Sequence, residues 1–394
     1  MHLTAQNILP KDAEIATLIG RAWVPGRVPG PSPVAIRDAA VYDLGRVVAT
    51  SSQLLNAVDP LALVQDALKG RRARRIGSVE ALLDNSHAER RDPSKPYFLT
   101  PCDLQALRAC GVTFVSSMLE RVIEEHAKGD PAKAEEVRRA IGEEIGASIR
   151  SVKPGSPEAA KLKASLIRRG LWSQYLEVGI GPDAEVFNKA QPMSAVGVGA
   201  EIGIRPDSSW NNPEPEAVLA VNRAGRVVGA TLGNDVNLRD FEGRSALLLG
   251  KAKDNNASCA IGPFIRLFDS KYAMDDLRAT RIEIEVSGTD GYRLQGTSDL
   301  KRISRDPLEL VAQAINRMHQ YPDGLMLFLG TQFAPIQDRH EPGKGFTHRL
   351  GDVVTIRAER LGTLVNRVNY CDRIAPWTFG IADLMLNLAQ RGLL

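Results

Sequence analysis

Short apolar segments separated by glycine, asparagine and aspartate follow one another from about residue 193 onwards. Two helical patterns interrupt them, at residues 307–319 and 381–391. The segments with the length and composition of strands are AVLAV (217–221), VVGATLG (227–233), RIEIEVSG (281–288), LMLFLG (325–330) and DVVTIRAE (352–359). Because no regular helical crossovers join these strands, the pattern predicts an α+β fold with mainly antiparallel sheets rather than a doubly wound fold.

The first 95 residues consist of short apolar stretches between turn-rich segments and are predicted to form a separate small N-terminal domain. Short strands are expected at residues 14–23, 34–36 and 46–49, between turn-rich pieces such as VPGRVPGPSP, and a helix near residues 60–69. The segment HAERRDPSKP has the composition of a linker. The remainder, residues 96–394, is therefore expected to form a second, larger domain.

A charged, helical stretch lies near the start of that larger domain. Val137, Ile141, Ile145 and Ile149 recur every four positions and form one apolar stripe. KPGSPE then breaks the helix, and Ser156 is placed to cap the next one. We interpret residues 120–176 as a helical insertion packed on a core, with a mobile cover over a site as the alternative.

Composition narrows the class of protein. The 394 residues include 50 Lys and Arg against 47 Asp and Glu, and this near balance does not indicate a nucleic-acid partner. The basic run KGRRARR is interpreted as a solvated helix end. Four cysteines without a CxxC spacing, no secretion signal and no long apolar run together predict a cytoplasmic protein without a membrane partner. No GxGxxG or Walker sequence suggests a nucleotide cofactor.

Three carboxylates are predicted to meet on one hairpin. With a two-residue loop at Ala224 and Gly225, Glu214 faces Asp235, and Glu216 lies on the same face two residues along. Directly opposed Cβ atoms are about 5 Å apart, so the carboxylates would repel one another unless a cation lay between them. A three-residue loop would shift this register by one.

The ligand chemistry of this trio favours a hard cation. Carboxylates without Cys or His point to Mg²⁺, with Mn²⁺ or Ca²⁺ as possible substitutes. The alternative is an acidic turn in solvent. Eighteen residues beyond Asp235, Lys253 could neutralise an oxyanion or act as a base if its pKa were lowered.

At these residues the sequence resembles the fumarylacetoacetate hydrolase superfamily. Glu214, Glu216, Asp235 and Lys253 are spaced by 2, 19 and 18 residues, as in the metal pattern of that family. Further matching segments are GVTF (111–114), FNK (187–189), GNDVNLRDFEG (233–243), CAIGPF (259–264) and LGDVVTIRAERLGTLVNRV (350–368). The resemblance implies a mixed β-sandwich roll holding Mg²⁺, a smaller N-terminal domain, and a homodimer or higher homo-oligomer.

Within the superfamily, DSSWNNPEPE and YLEVGIGPDAEVF are more similar to the 2-keto-3-deoxy-arabinonate dehydratase branch than to the acylpyruvate hydrolases. The hydrolases use a His-x-x-Glu pair to activate water, whereas His126 here is followed by Ala, Lys and Gly. The resemblance therefore implies an Mg²⁺-dependent enzyme that acts on a small 2-oxo acid through a metal-stabilised enolate. The expected reaction is dehydration of a 2-keto-3-deoxy sugar acid to a 2,5-dioxo acid.

The same resemblance suggests roles for further residues. Lys253 is expected to be the base or the enolate partner, and Glu124, or its neighbour Glu125, to protonate the leaving hydroxyl. The residues expected near the substrate carboxylate are Lys189, Arg239 and Thr331.

Two other functions stay open at this point. One is C–C bond hydrolysis of acylpyruvates or diketo acids, which needs the same three carboxylates and also a base that activates water. The other is a ligand-binding subunit without catalytic activity.

Overall fold

The computed structural model describes residues 1–138, 149, 152–170, 172–339 and 341–394. Its strands form three sheets, in which most neighbouring strands run antiparallel; β16 with β6 and β8 with β18 are the parallel pairs among these residues. The strands are β1 (Leu18–Val24), β2 (Gly30–Arg37), β3 (Ala40–Asp43), β4 (Arg74–Ser78), β5 (Tyr97–Leu99), β6 (Ala106–Gly111), β7 (Glu185–Ala190), β8 (Glu201–Ile204), β9 (Asn211–Asn212), β10 (Pro215–Val221), β11 (Val227–Asp235), β12 (Asn237–Leu238), β13 (Cys259–Leu267), β14 (Arg281–Ser287), β15 (Arg293–Asp299), β16 (Leu325–Phe328), β17 (Val353–Ala358) and β18 (Gly362–Tyr370).

The largest sheet has 11 strands, in the order β4-β3-β2-β1-β13-β11-β10-β16-β6-β7, with β5 also paired to β1. A second sheet has the order β15-β14-β17-β18-β8, and β9 pairs with β12. The N-terminal strands β1 to β4 thus extend the large sheet through the pairing of β1 with β13. The domain boundary near residue 95 stays a prediction.

Helices lie around these sheets and between their strands. They are α1 (Ala5–Ile8), α2 (Ser51–Leu55), α3 (Pro60–Lys69), α4 (Val79–Asp84), α5 (Val115–His126), α6 (described over 131–138), α7 (Pro157–Arg168), α8 (Gln174–Ile180), α9 (Arg239–Arg244), α10 (Leu249–Lys253), α11 (Met274–Arg278), α12 (Pro307–Ala314) and α13 (Ile381–Gln390). Short 3₁₀ turns occur at Ala88–Arg90, Ala246–Leu248 and Leu300–Arg302. Within the described part of the chain, no helix is long and apolar enough to cross a membrane.

The central strand β10 is apolar apart from Glu216, because it is buried on both faces. Ala217, Leu219 and Val221 point into the core that the two large sheets enclose, where they join Ile284 and Val354. The alternate residues point the other way, into a second core that includes side chains of α2 and α3. A strand in this position cannot shift its register without moving polar groups into one of the two cores.

The α+β class with mainly antiparallel sheets is confirmed. The helix expected at residues 60–69 is α3, whose first turn is capped by Asp59, and Ser156 caps α7 through an Ala159 N–H···Oγ hydrogen bond of 3.1 Å. A strand expected at 46–49 is wrong, because the N–H groups of Val47 and Val48 close turns on Leu44.

The two helices expected at residues 307–319 and 381–391 are present, although the first ends early, at Ala314. Half of the apolar stripe predicted along the helical insertion lies outside the described residues, since only Val137 and Ile149 of its four members are described.

Gly233 is required by packing at the end of the hairpin that carries the carboxylates. It faces Glu216 across the hairpin, and a Cβ there would lie 2.3 Å from Phe328 and 2.6 Å from Val218. We therefore expect Gly233→Ala to lower the free energy of unfolding by about 1–3 kcal/mol, as overpacked cores do, measured as a lower urea midpoint.

Gly250→Ala is the matched control, since Gly250 lies in α10 and a Cβ there would meet nothing within 4 Å. Its helix propensity should raise stability by about 0.5–1 kcal/mol. Equal midpoints for Gly233→Ala and the parent protein would contradict the packing argument.

Candidate active site

The hairpin of β10 and β11 has the predicted register but a different turn. Pro215 pairs with Asn234 and Glu216 with Gly233, so Glu214 and Asp235 come together at the open end, where the Asp235 N–H donates to the Glu214 carbonyl at 3.1 Å. The loop has three residues instead of two, closed by the Asn222 N–H to the Arg226 carbonyl. One extra residue on β11, between the pairs at Val227 and Gly229, restores the register.

This hairpin brings the three predicted carboxylates together out of water. One oxygen from each of Glu214, Glu216 and Asp235 lies within 4.8 Å of the others. Their exposed fractions are 4%, 1% and 1%, and Glu216 Oε2 accepts a 2.6 Å hydrogen bond from the N–H of Gly330. The trio therefore forms one buried cluster of oxygen ligands.

Burial and mutual repulsion shift the protonation of the trio. Burial raises the pKa of Glu216 well above its ordinary value, and the charges of Asp235 and Glu214 add to this. Burial likewise raises the pKa of Glu214. For Asp235 burial acts in the same direction, but Lys189 and Lys253 outweigh it and lower the pKa. The charge on Glu216 thus lacks sufficient compensation from the side chains around it.

Three cationic side chains contact both carboxylate oxygens of Glu214 and both of Asp235. Lys253, at the end of α10, places its Nζ 2.5 Å from Glu214 Oε2 and 3.0 Å from Asp235 Oδ2. Lys189 on β7 is fully buried, and its Nζ lies 2.9 Å from Asp235 Oδ1. Arg121 on α5 donates to Glu214 Oε1. These contacts fix the orientation of both carboxylates.

Lys253 is held in its protonated form. Burial alone would lower the pKa of its ammonium, but the carboxylates of Asp235 and Glu214 outweigh this and raise the pKa. In this arrangement Lys253 is a hydrogen-bond donor and a positive charge. A lowered pKa, which a lysine needs to act as a base, is not what these contacts produce.

The cluster forms one wall of a cavity of about 20 Å³, enough for a single water molecule or an ion. Ser117 and Arg121 on α5 form part of another wall, together with Glu185, Glu242 and Thr331. Entry of a larger molecule therefore requires some of these walls to separate. Of the three residues predicted to contact a substrate carboxylate, only Thr331 lines this cavity.

Glu185 is a functional candidate that no spacing in the sequence singled out. It begins β7, directly opposite Gly111 on β6, and its carboxyl group lies so close that a Cβ on Gly111 would come within 1.9 Å of Oε2. Burial raises the pKa of Glu185 to about 7, and the charge of Glu242 adds to this. A carboxyl group with this pKa can both accept and release a proton near neutral pH.

Glu242, on α9, was also missed, as was Arg121. Arg121 Nη1 lies 3.4 Å from Glu242 Oε2 and donates to Glu124 at 2.6 Å. Arg121 has no local pattern that marks it, whereas Glu242 lies in the segment GNDVNLRDFEG noted above. Their partners are distant in sequence and meet only when α5 and α9 pack on the hairpin. The GVTF segment, which leads into α5, was the nearest available signal.

Glu124 lies behind the cavity wall and does not line the cavity. One of its carboxylate oxygens accepts from Arg121, and the other accepts from Arg239 Nε at 2.7 Å. Arg239 in turn donates to the Pro335 carbonyl and stacks over Trp210. Glu125 lies elsewhere and accepts from Gln174 at 2.8 Å. Glu124 and Arg239 therefore hold Arg121 and α5 in position.

The charges around the cavity favour a bound divalent cation. Five carboxylates, those of the trio with Glu185 and Glu242, face three cationic side chains. The three residues that bring ligand atoms together, Glu214, Glu216 and Asp235, offer carboxylate oxygens, which suit Mg²⁺ or a similar hard ion. The donor set therefore fits a magnesium ion held by Glu214, Glu216 and Asp235.

Part of the chain matches the model of a known protein family. Residues 178–369 match the model of the fumarylacetoacetate hydrolase C-terminal family. The matched region includes the carboxylate trio, Glu185 and Lys253, whereas Arg121 and the rest of α5 lie outside it.

Two curated relatives are similar in sequence. A 2-dehydro-3-deoxy-D-arabinonate dehydratase of Saccharolobus solfataricus is 32% identical over 187 residues, which cover 47% of this chain and 58% of the relative. A probable 2-keto-3-deoxyxylonate dehydratase of Haloferax volcanii is 34% identical over 194 residues, covering 49% of this chain and 63% of the relative. The match thus spans less than two thirds of either relative.

Solved structures share the fold over most of the chain. The apo form of a 2-keto-3-deoxy-D-arabinonate dehydratase aligns over 90% of this chain and 99% of its own, with a TM-score of 0.60 and 20% identity. The form complexed with magnesium and 2,5-dioxopentanoate aligns over 91% and 100%, with the same TM-score and identity. Residues 178–369 are therefore similar in sequence to the fumarylacetoacetate hydrolase C-terminal family, and most of the chain shares the fold of these solved structures.

Proposed function

We propose that this protein is an Mg²⁺-dependent dehydratase that converts a 2-keto-3-deoxy sugar acid of the arabinonate type into a 2,5-dioxo acid. The observation that carries the proposal is the buried carboxylate trio beside Glu185, a carboxyl group that titrates near neutral pH. The two curated relatives, both dehydratases of 2-keto-3-deoxy acids, support this choice of substrate.

The ion site defines where the substrate binds. Glu214, Glu216 and Asp235 would hold Mg²⁺, with Mn²⁺ or Ca²⁺ as possible substitutes, and Lys189 and Lys253 keep Asp235 ionised for that role. When bound, the ion supplies Lewis-acid polarisation of a 2-oxo acid, which makes the C3 hydrogen more acidic. Thr331, which also lines the cavity, is the residue we assign to the substrate carboxylate.

Glu185 is the proposed proton-transfer residue. As a carboxylate it takes the proton from C3, and as the resulting acid it delivers that proton to the C4 hydroxyl, which leaves as water. Tautomerisation of the unsaturated product then gives the 2,5-dioxo acid. Lys253 stays protonated between two carboxylates, and Glu124 is bound by two guanidinium groups, so neither is as well placed to exchange a proton.

C–C bond hydrolysis is less well supported, because it needs a base that activates water. His126 lies at the end of α5, where it is exposed, and its Nδ1 is 2.8 Å from the Val122 carbonyl. Among the described residues that line the cavity there is no histidine. A homodimer or larger assembly and a cytoplasmic location stay predictions.

The proposal is tested directly by substrate. With 2-keto-3-deoxy-arabinonate and Mg²⁺, we expect a 2,5-dioxo acid as product, identified by mass spectrometry as a loss of one water, and we expect chelation of the metal to abolish turnover. Cleavage of an acylpyruvate to pyruvate, with the sugar acid left unchanged, would show instead that the protein is a hydrolase.

The metal site is tested by charge removal. Asp235→Asn and Glu216→Gln should each weaken Mg²⁺ binding about tenfold or more, because affinity depends on the number of carboxylate ligands. Isothermal titration with Mg²⁺ and oxalate measures this effect apart from turnover. Asp66→Asn, at an exposed position of α3, is the matched control and should bind Mg²⁺ as the parent protein does. Unchanged affinity in both site variants would remove the trio from the metal site.

The role of Glu185 predicts a pH dependence. Because its pKa is raised to about 7 and it must be ionised to take a proton, kcat/KM should fall as the pH decreases below that value. Bound Mg²⁺ shifts this limb towards lower pH, since a nearby cation favours the ionised form.

Glu185→Gln should lower kcat by about 10²–10⁴-fold, the usual contribution of a general base, and its residual activity should lack the acidic limb. Glu125→Gln, a change on α5 at a half-buried carboxylate that contacts Ser173 and Gln174 instead of the cavity, is the control and should keep the parent pH profile. A Glu185→Gln variant with near-normal kcat would overturn the assignment.

A further inference from the structure

A second cavity, of about 220 Å³, lies beside β1 and β5 and shares no lining residue with the candidate active site. Five of the residues that line it are aromatic. Trp23 stacks on Tyr97, with ring centroids 6.3 Å apart, and meets Phe379 edge to face at 6.0 Å. Trp377, which is 45% exposed, completes the wall from the segment before α13.

The strand register explains why a guanidinium joins these rings. Trp23 is directly opposite Tyr97, and Arg21 is directly opposite Leu99. Side chains two residues apart on a strand point to the same face, so Arg21 lies beside the Trp23–Tyr97 pair. All four residues line the cavity.

Arg21 is a buried charge without a carboxylate partner. It is 5% exposed; its Nη1 donates to the Cys102 carbonyl, and its Nη2 lies 3.8 Å from Met193 Sδ. No ion pair of Arg21 occurs among the described residues, and these two contacts leave most of its five N–H donors unused. Buried charges in proteins are normally paired, so this arrangement is costly unless an anion binds.

Asp103 supplies only part of the missing negative charge. Its carboxylate oxygens accept hydrogen bonds from the N–H groups of Ser51 and Ser52, at 2.6 and 2.9 Å. The Asp103 carboxylate is therefore engaged by the first turn of α2. Burial lowers the pKa of Arg21, and the charge of Asp103 does not fully offset this effect. The positive charge of the Arg21 guanidinium is therefore only partly compensated, and a bound anion would stabilise it.

Two further donors border the same space. Arg91 lies 4.5 Å above the Tyr97 ring and donates to the Ser86 carbonyl at 3.0 Å, and no ion pair of it is found among the described residues. The Trp23 Nε1–H is buried and has no acceptor in the described part of the chain. The cavity thus combines flat apolar walls with several hydrogen-bond donors and a net positive charge.

We propose that this cavity binds a small planar aromatic carboxylate. The carboxylate pairs with Arg21, in the two-pronged geometry that guanidinium groups favour, and the ring packs against Trp23 and Tyr97. A volume of about 220 Å³ accommodates a single substituted ring. A phosphate ion would satisfy the charge but would leave the aromatic walls without a partner.

Isothermal titration of the full chain, with Mg²⁺ present, tests the site with benzoate and its neutral analogue benzamide. We expect benzoate to bind with a Kd of about 0.1–1 mM, equivalent to about 4–5.5 kcal/mol, and benzamide to bind at least about tenfold more weakly. Benzoate should also raise the Tm by mass action. Equal affinities for the two compounds, or no binding of benzoate, would overturn the proposal.

Variants locate the binding. Arg21→Met should reduce benzoate affinity to that of benzamide. Because Arg21 also supports the Cys102 carbonyl, Trp377→Ala offers a second variant at an exposed wall, expected to weaken benzoate binding about threefold or more with little change in the urea midpoint. Asp235→Asn, in the other cavity, should leave benzoate affinity unchanged. Binding that survives Arg21→Met but is lost in Asp235→Asn would place benzoate at the metal site and overturn the proposal.

Discussion

Repulsion between buried carboxylates is the constraint on which the structure of the site depends. Glu214, Glu216 and Asp235 each place one carboxylate oxygen within 4.8 Å of the others, in a place from which water is almost excluded. Such an arrangement is unstable by itself, and the fold offsets it with Lys189 and Lys253, both buried and both directed at Asp235. These lysines reduce the repulsion without removing it, since Glu216 remains the group with the most strongly raised pKa. A cavity with this charge distribution favours a divalent ion.

The sheet provides the rigidity that such a cluster requires. Because β10 is buried on both faces, packing against two cores fixes its register. The same packing fixes the positions of Glu214 and Glu216 at the open end of the hairpin. The pairing of Glu216 with Gly233 leaves room for Phe328 beneath the acidic end of the hairpin. Apolar packing along one part of the strand therefore positions the charged groups at the other part. The packing of the core and the geometry of the site therefore depend on each other.

Much of this could be predicted from the sequence, because the signals are local. The strand-like apolar segments, the turn residues and the spacing of Glu214 and Asp235 were sufficient to predict the hairpin and the carboxylate trio. The three-residue loop was not predictable, since its effect on the register is cancelled by an extra residue on β11. Glu185 and Arg121 were missed because their roles arise from packing between distant segments. Glu124 was expected at the site from its position on α5, but two arginines bind it behind the cavity wall.

The placement of α5 has a consequence for how such proteins diversify. The carboxylate trio beside the cavity lies within residues 178–369, whereas Ser117 and Arg121, which also line the cavity, come from α5, before that matched region. Changes in this part of α5 can alter the size and polarity of the cavity without disturbing the hairpin or its charges. The carboxylate trio and the helix that limits the space beside it are therefore encoded in separate parts of the chain, and each can evolve while the other is retained.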